Sequence, residues 1–238
     1  MIIDEKTVNS IKKNLDIIQE QIDRAAEKSC RKSSDIRLMA VSKTQPIELI
    51  EAVYQTGHRL FGENRVIEGK EKFSCFHEDA EIHLIGHLQR NKAKHVVPTY
   101  SSVQSIDKIK TITALENYIP KESEKLDLYI EVNTSHEESK NGCSDFDGIC
   151  RIIEYCIGKE QFRLRGLMTI GPLTGDEKRI RTAFADLRDM SEKANERFPE
   201  LKMGELSMGM SGDFESAIAE GATLVRVGTA IFGQRRNG

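Results

Sequence analysis

The strongest constraint on the fold is a regular alternation of short apolar segments with longer, helix-like ones. The apolar segments have the length of strands, and the clearest are IRLMAVSK at 36–43 and LDLYIEVN at 126–133. Strands that alternate with helices form a parallel sheet, because each helix returns the chain to the start of the next strand. Eight strands are predicted, at residues 36–43, 59–64, 81–86, 102–107, 126–133, 163–170, 205–210 and 223–228.

Eight such units can close into a barrel, which removes both exposed sheet edges. The length of 238 residues is close to the ~250 residues typical of that fold. A further helix is predicted before the first strand, over residues 3–28, with Asn9 or Ser10 as its start signal. The sequence therefore predicts an α/β fold, a single (β/α)8 TIM barrel with an extra N-terminal helix.

An open, doubly wound sheet is the competing architecture. A dinucleotide-binding sheet normally carries a glycine-rich turn after its first strand, and here that turn reads Ser42-Lys43-Thr44. No linker rich in proline, glycine or serine divides the chain. Residues 1–238 are therefore predicted to form one domain.

Composition excludes several classes of protein. The formal net charge is −3 and no basic block stands out, which argues against a nucleic-acid surface. No apolar run approaches the ~20 residues that span a bilayer, and the N-terminus carries acids where a secretory signal has its apolar core. The five cysteines are odd in number and contain no CxxC, as expected of reduced thiols. We expect a cytoplasmic protein.

Lys43 ends the first predicted strand, and barrels of this type carry their active sites where the strands end. A lysine at the border of an apolar interior has its pKa lowered, and the neutral amine is the nucleophile that forms a Schiff base. The alternative is a lysine that simply caps the strand at the surface, since buried lysines are rare.

Small residues near the ends of the last two strands indicate a phosphate site. Ser207 lies in the seventh strand, and Gly228-Thr229 follows the eighth. The loops after these two strands commonly bind phosphate through backbone N–H groups, which glycine allows to approach closely. Ordinary turn chemistry is the alternative, because glycine and serine are common in turns.

Arg226 lies in the apolar strand LVRVG, on the face opposite to Val225 and Val227. A guanidinium inside a barrel requires a partner, and a cofactor ring nitrogen would serve. A structural ion pair with an interior acid is the alternative. Asn64 ends the second strand and could order a ring or a water molecule. His83 and His87 match no zinc spacing, so no metal is predicted.

Several motifs together resemble one family, the pyridoxal phosphate homeostasis proteins, which are related to the barrel domain of bacterial alanine racemases. The resemblance covers about residues 36–233, and its motifs follow in order: AVSKTQP, FGENR, HLIGHLQRNK, SIDK, EVN, RGLMTI, LSMGMSGDFESAI and VRVGTAIFG. The resemblance implies a barrel of the alanine racemase N-terminal-domain type that binds pyridoxal 5'-phosphate (PLP).

The resemblance also implies a role for each site residue. Lys43 would form the internal aldimine, Arg226 would face the pyridine nitrogen, and Lys140 matches a lysine linked to cofactor exchange. The other implied contacts are Ser207, Gly228 and Thr229 at the phosphate, with Asn64 and Met208 also lining the site.

An arginine opposite the ring nitrogen favours binding over catalysis. Arginine stays protonated and donates to the nitrogen, which leaves the ring a poorer electron sink. The related racemases also need a second base, a tyrosine from a separate domain and a partner subunit, and the chain is expected to lack that domain. We therefore predict a monomeric PLP carrier whose partners are PLP-dependent apo-enzymes. A PLP-dependent amino-acid racemase of low activity is the alternative. An NAD-dependent oxidoreductase is disfavoured by the missing glycine fingerprint.

Overall fold

Eight parallel strands close into a barrel, in chain order, in the computed structural model, which describes residues 3–120 and 124–233. Closure occurs between the first and last strands, where Met39 lies opposite Arg226. The predicted barrel is thereby confirmed. The strands are β1 (Arg37–Val41), β2 (Leu60–Glu63), β3 (Glu81–Leu84), β4 (Ser102–Ile106), β5 (Leu126–Glu131), β6 (Phe162–Met168), β7 (Glu205–Ser207) and β8 (Leu224–Val227).

Helices follow most of the strands, as the alternation predicts. They are α1 (Glu5–Lys28), α2 (Ile47–Gln55), α3 (Val66–Phe73), α4 (Ile109–Glu116), α5 (Phe146–Cys156), α6 (Glu177–Arg197), α7 (Phe214–Ala219) and α8 (Thr229–Phe232). Two 3-10 helices, Ser33–Asp35 and Arg90–His95, complete the described elements, and the second takes the place of an α-helix after β3.

The extra N-terminal helix is present, but it begins earlier than its predicted start signals. It begins at Glu5, because the Asp4 side chain accepts a hydrogen bond from the backbone N–H of Lys6 and caps the first turn. The helix packs against α2, α7 and α8, and Asn14 donates to the carbonyl of Ile231 at 2.9 Å. α1 therefore covers the seam where β1 meets β8.

Several strands end earlier than predicted. β1 ends at Val41, and the chain turns through Thr44, whose φ of 62° is left-handed. β7 ends at Ser207, and Gly209 follows with a φ of 92°. Left-handed backbone cannot continue a strand. Lys43 therefore lies in a turn two residues beyond β1 instead of ending the strand.

The strands of the barrel separate an apolar core, which lies between the strands and the helices, from the space that the strands enclose. Outward-facing side chains such as Phe61 and Val225 join the large apolar cluster between strands and helices. Inside the barrel, Met39, Leu60 and Leu224 form a small apolar cluster. Arg226 faces the same interior and is buried among polar side chains. A polar layer of this kind inside the barrel is where a functional site can be built.

Residues 1–2, 121–123 and 234–238 lie outside the described part of the chain. The assignment of residues 1–238 to one domain stays a prediction. Of the helices in the described ranges, none is long and apolar enough to cross a membrane.

Candidate cofactor site

Strand register brings Lys43, Asn64 and Gly228 to one end of the barrel. Val41 pairs with Gly62 across β1 and β2, so Lys43 and Asn64, each two residues farther on, follow at the same level. On the other side β1 pairs with β8, and a Cβ placed on Gly228 would lie 3.2 Å from the Val41 carbonyl oxygen. Three of the sequence-predicted residues are therefore neighbours at the C-terminal ends of the strands.

The turn that carries Lys43 is anchored to neighbouring elements. The Ser42 hydroxyl, which is fully buried, donates to Glu63 Oε1 at 2.7 Å. Lys72 on α3 donates to the Ser42 carbonyl at 3.0 Å and to Glu63 Oε1 at 3.1 Å. Lys43 itself is partly buried, and Thr44 beyond it is exposed. The backbone beneath Lys43 is thus held in place while its side chain lies at the border of solvent.

Arg226 is the buried cation of the site. Its Nη1 donates to the Ser207 carbonyl at 2.7 Å and to Ser207 Oγ at 2.8 Å, and its Nη2 donates to the Thr169 carbonyl at 2.7 Å. Burial lowers the pKa of Arg226 to about 10, against the charges of Asp213 and Glu131, which raise it. The guanidinium therefore remains charged at neutral pH.

These bonds to described residues use three of the five N–H groups of a guanidinium. A buried guanidinium is stabilised by further acceptors, and the pyridine nitrogen of PLP is one. With a primary amine at Lys43 and a small residue at Gly228, the donor set fits PLP. When bound, PLP supplies an aldehyde that condenses with amines and a ring that withdraws electrons.

The other predicted residues have different surroundings. The Ser207 side chain is fully buried and its hydroxyl donates to Gln104 Oε1 at 2.6 Å. Met208 is buried in the outer apolar cluster. Gly228 precedes α8, and Thr229 is exposed at the start of that helix.

Lys140 lies in the loop between β5 and α5, outside the barrel interior. Its amine donates to the Gly171 carbonyl at 2.9 Å and to Glu137 Oε1 at 2.8 Å. It therefore joins the loops that follow β5 and β6. In the described ranges, no three or more His, Cys, Asp and Glu side chains are placed to hold a metal ion.

Glu131 is a site residue that sequence reasoning missed. It ends β5, is 6% exposed, and lies within the influence of the Arg226 charge. Burial and, to a smaller extent, the Asp107 carboxylate raise its pKa to about 7, against the charges of Arg226 and Lys108, which lower it. A carboxyl that titrates near neutral pH beside a buried cation can take up or release a proton there.

Replacing Glu131 with glutamine should stabilise the fold at high pH only. A carboxyl whose pKa is higher in the folded chain favours folding below about pH 4.5, and this contribution is lost as the pH rises through about 7. The shift from 4.5 to about 7 corresponds to about 3 kcal/mol, at ~1.4 kcal/mol per pKa unit. Denaturant unfolding of Glu131→Gln should therefore show a gain of that order at pH 8 and little change at pH 4. An equal change at both pH values would contradict this titration.

Comparison with known proteins first defines the class of the barrel. Residues 13–236 match the family model described as alanine racemase, N-terminal domain. An alanine racemase of Clostridium difficile shares the fold at a TM-score of 0.76 and 15% identity, over 96% of this chain and 58% of the racemase. The comparison confirms the predicted barrel type.

Closer relatives narrow the class to one family. A pyridoxal phosphate homeostasis protein of Vibrio cholerae is 39% identical over 96% of this chain and 98% of its own length. The structure of PipY from Synechococcus elongatus with PLP bound is 32% identical, with a TM-score of 0.77, over 90% of this chain and 100% of PipY. The chain belongs to the pyridoxal phosphate homeostasis protein family.

Proposed function

We propose that this protein binds PLP as a Schiff base on Lys43 and acts as a reversible carrier of the cofactor in the cytoplasm. The observation that carries the proposal is the buried, charged Arg226 at the strand ends that also hold Lys43, with N–H groups beyond those bound to Ser207 and Thr169. The names of the relatives and the PLP bound to PipY support it.

Each residue has a distinct task in this proposal. Lys43 would hold the cofactor through its amine, which can condense with an aldehyde and release water. Arg226 donates a hydrogen bond to the ring nitrogen. Gly228 and Thr229 hold the phosphate through backbone N–H groups at the start of α8. Asn64 and the backbone of Met208 border the ring, and Ser207 orients Arg226.

The charge of Arg226 favours storage of the cofactor over its use in catalysis. With a pKa of about 10, the guanidinium keeps its protons at neutral pH and leaves the ring nitrogen as an acceptor. A ring without a proton on this nitrogen withdraws electrons less strongly, which disfavours chemistry at the α-carbon of an amino acid. Reversible capture at Lys43 needs no such withdrawal.

Transfer of PLP to an apo-enzyme tests the carrier role. The loaded protein is mixed with a PLP-dependent apo-enzyme in the presence of a phosphatase that destroys free PLP. Recovery of enzyme activity is expected to survive the phosphatase, because the cofactor is protected in the barrel until transfer. An equal amount of free PLP, the control, should give no recovery. Loss of recovery in both samples would contradict a carrier role.

Glu131 favours one second candidate, a slow amino-acid racemase in which this carboxyl is the base opposite to Lys43. Its support is the pKa of about 7 in a buried position near Arg226. Incubation of the loaded protein with single-enantiomer amino acids in deuterated water separates the two functions. The carrier proposal predicts negligible α-proton exchange. Rapid exchange with inversion, lost in Glu131→Gln, would establish the racemase instead.

A further inference from the structure

A continuous series of hydrogen-bonded side chains crosses the barrel interior below Arg226. Ser207 Oγ lies 2.8 Å from Arg226 Nη1 and 2.6 Å from Gln104 Oε1. Gln104 Nε2 lies 2.8 Å from His83 Nδ1, and His83 Nε2 lies 2.7 Å from Glu81 Oε1. The three inner members of the series, Ser207, Gln104 and His83, are at most 1% exposed. The series joins β8, β7, β4 and β3, and none of its lower members has a role in the proposed function.

The charged ends of the series fix the direction of every hydrogen bond in it. A guanidinium only donates, so the Ser207 oxygen accepts from Arg226 and directs its single hydrogen to the oxygen of Gln104. The amide nitrogen of Gln104 must then face His83, so Nδ1 of the imidazole accepts. His83 therefore carries its hydrogen on Nε2 and donates it to Glu81.

The carboxylate end is held in its charged form. Burial alone would raise the pKa of Glu81, but the hydrogen bond from His83 and the hydrogen bond and charge of Arg37 lower it. Glu81 also forms an ion pair with Arg37. The ring of Tyr129 also lies near His83, with the ring centres 6.2 Å apart, but the Tyr129 hydroxyl donates to Glu205 and not to His83. Glu81 is thus the acceptor toward which the whole series is polarised.

We propose that Gln104 and His83 are positioning residues that hold the Ser207 hydroxyl in one orientation and thereby aim Arg226 at the ring of bound PLP. This inference rests on the proposed function, because the orientation of Arg226 matters only if PLP binds beside it. It also gives Ser207 a different task from the phosphate contact expected from the sequence. Without an acceptor at residue 104, the Ser207 hydroxyl can rotate and the guanidinium loses a fixed partner.

Strand β4 offers a matched control. Ser102 lies two residues before Gln104 and therefore faces the same side of the strand. Both residues are fully buried, but Ser102 Oγ has no hydrogen-bond partner among the described residues. Ser102→Ala therefore changes the same strand, at the position paired with His83 on β3, without removing a hydrogen bond of the series.

The test compares PLP binding and the state of the His83 ring in four proteins: wild type, Ser102→Ala, Gln104→Leu and Gln104→Glu. PLP affinity is measured by titration of the Schiff-base absorbance, and the ring nitrogens by ¹⁵N NMR without PLP. We expect hydrogen on Nε2 in the wild type and a loss of affinity of about tenfold in Gln104→Leu, as for one hydrogen bond to a charged group. Ser102→Ala should bind within about twofold of the wild type.

Gln104→Glu keeps an acceptor for Ser207 but presents a carboxylate oxygen to His83. We expect it to bind PLP more tightly than Gln104→Leu and to place hydrogen on both ring nitrogens of His83. The state of the His83 ring in Gln104→Glu can be measured even if Gln104→Leu is too unstable to study. Hydrogen on Nδ1 in the wild type, an unchanged His83 ring in Gln104→Glu, or equal affinities in Gln104→Leu and Ser102→Ala would each overturn the positioning role. A wild-type protein without a Schiff-base band would instead contradict the proposed function.

Discussion

Replacing Lys43 with alanine is expected to abolish the absorbance band of the Schiff base and to weaken PLP binding by several orders of magnitude. The variant retains the Arg226 and Gly228 contacts, but it has no amine in the turn after β1 to condense with the aldehyde. The fold should be preserved, because Lys43 is partly exposed and the turn is anchored through Ser42 and Lys72. Absorbance titration with PLP measures both the band and the affinity.

Lys108→Ala provides the control for this experiment. Lys108 follows β4 at the same end of the barrel, and its side chain is 67% exposed while it pairs with Asp107. Its loss should leave the band and the affinity essentially unchanged. A band of wild-type height in Lys43→Ala, or an equal loss in both variants, would remove Lys43 from the proposed role.

Replacing Arg226 with methionine is expected to have the second-largest effect, on both stability and binding. The substitution leaves the carbonyls of Ser207 and Thr169 and the Ser207 hydroxyl without their buried donor. It also leaves Glu131 and Asp213 without the positive charge near them. Removal of one partner from a buried charged network costs about 3–5 kcal/mol. Denaturant unfolding should show a loss of this size.

Arg226→Lys separates the charge from the geometry of the guanidinium. A lysine keeps the positive charge, but its ammonium cannot donate in the planar fork that reaches both Ser207 and Thr169. We expect this variant to be more stable than Arg226→Met and to bind PLP at least tenfold more weakly than the wild type. Wild-type affinity in Arg226→Lys would show that the guanidinium does not contact the ring.

The fold could be predicted because each strand and helix is encoded locally. The apolar runs at β1 and β5 and the periodic helix before them are visible in short windows of sequence. The strand ends were predicted less accurately, since they depend on single residues with left-handed backbone. Thr44 and Gly209 end β1 and β7 in this way, and Thr44 is a residue type that rarely does so.

Site residues could be predicted from the sequence only where a residue type is unusual for its position, such as a charged residue inside an apolar strand. Arg226 in an apolar strand required a partner, and the structure supplies Ser207 and Thr169. Glu131 also lies in a mainly apolar strand, and Gln104 lies in a strand of mixed polarity. They meet Arg226 and Ser207 only through closure of the barrel, from distant parts of the chain. A search for polar residues at inward-facing strand positions would have found both.

The central claim is that Lys43 carries the cofactor, and borohydride reduction of the loaded protein followed by peptide mass spectrometry tests it most directly. Reduction converts the carbon–nitrogen double bond to a stable single bond and leaves a phosphopyridoxyl group on the lysine that held PLP. The expected result is one modified peptide, containing Lys43, at equimolar PLP. A phosphopyridoxyl group on Lys140 or another lysine, with Lys43 unmodified, would contradict the claim.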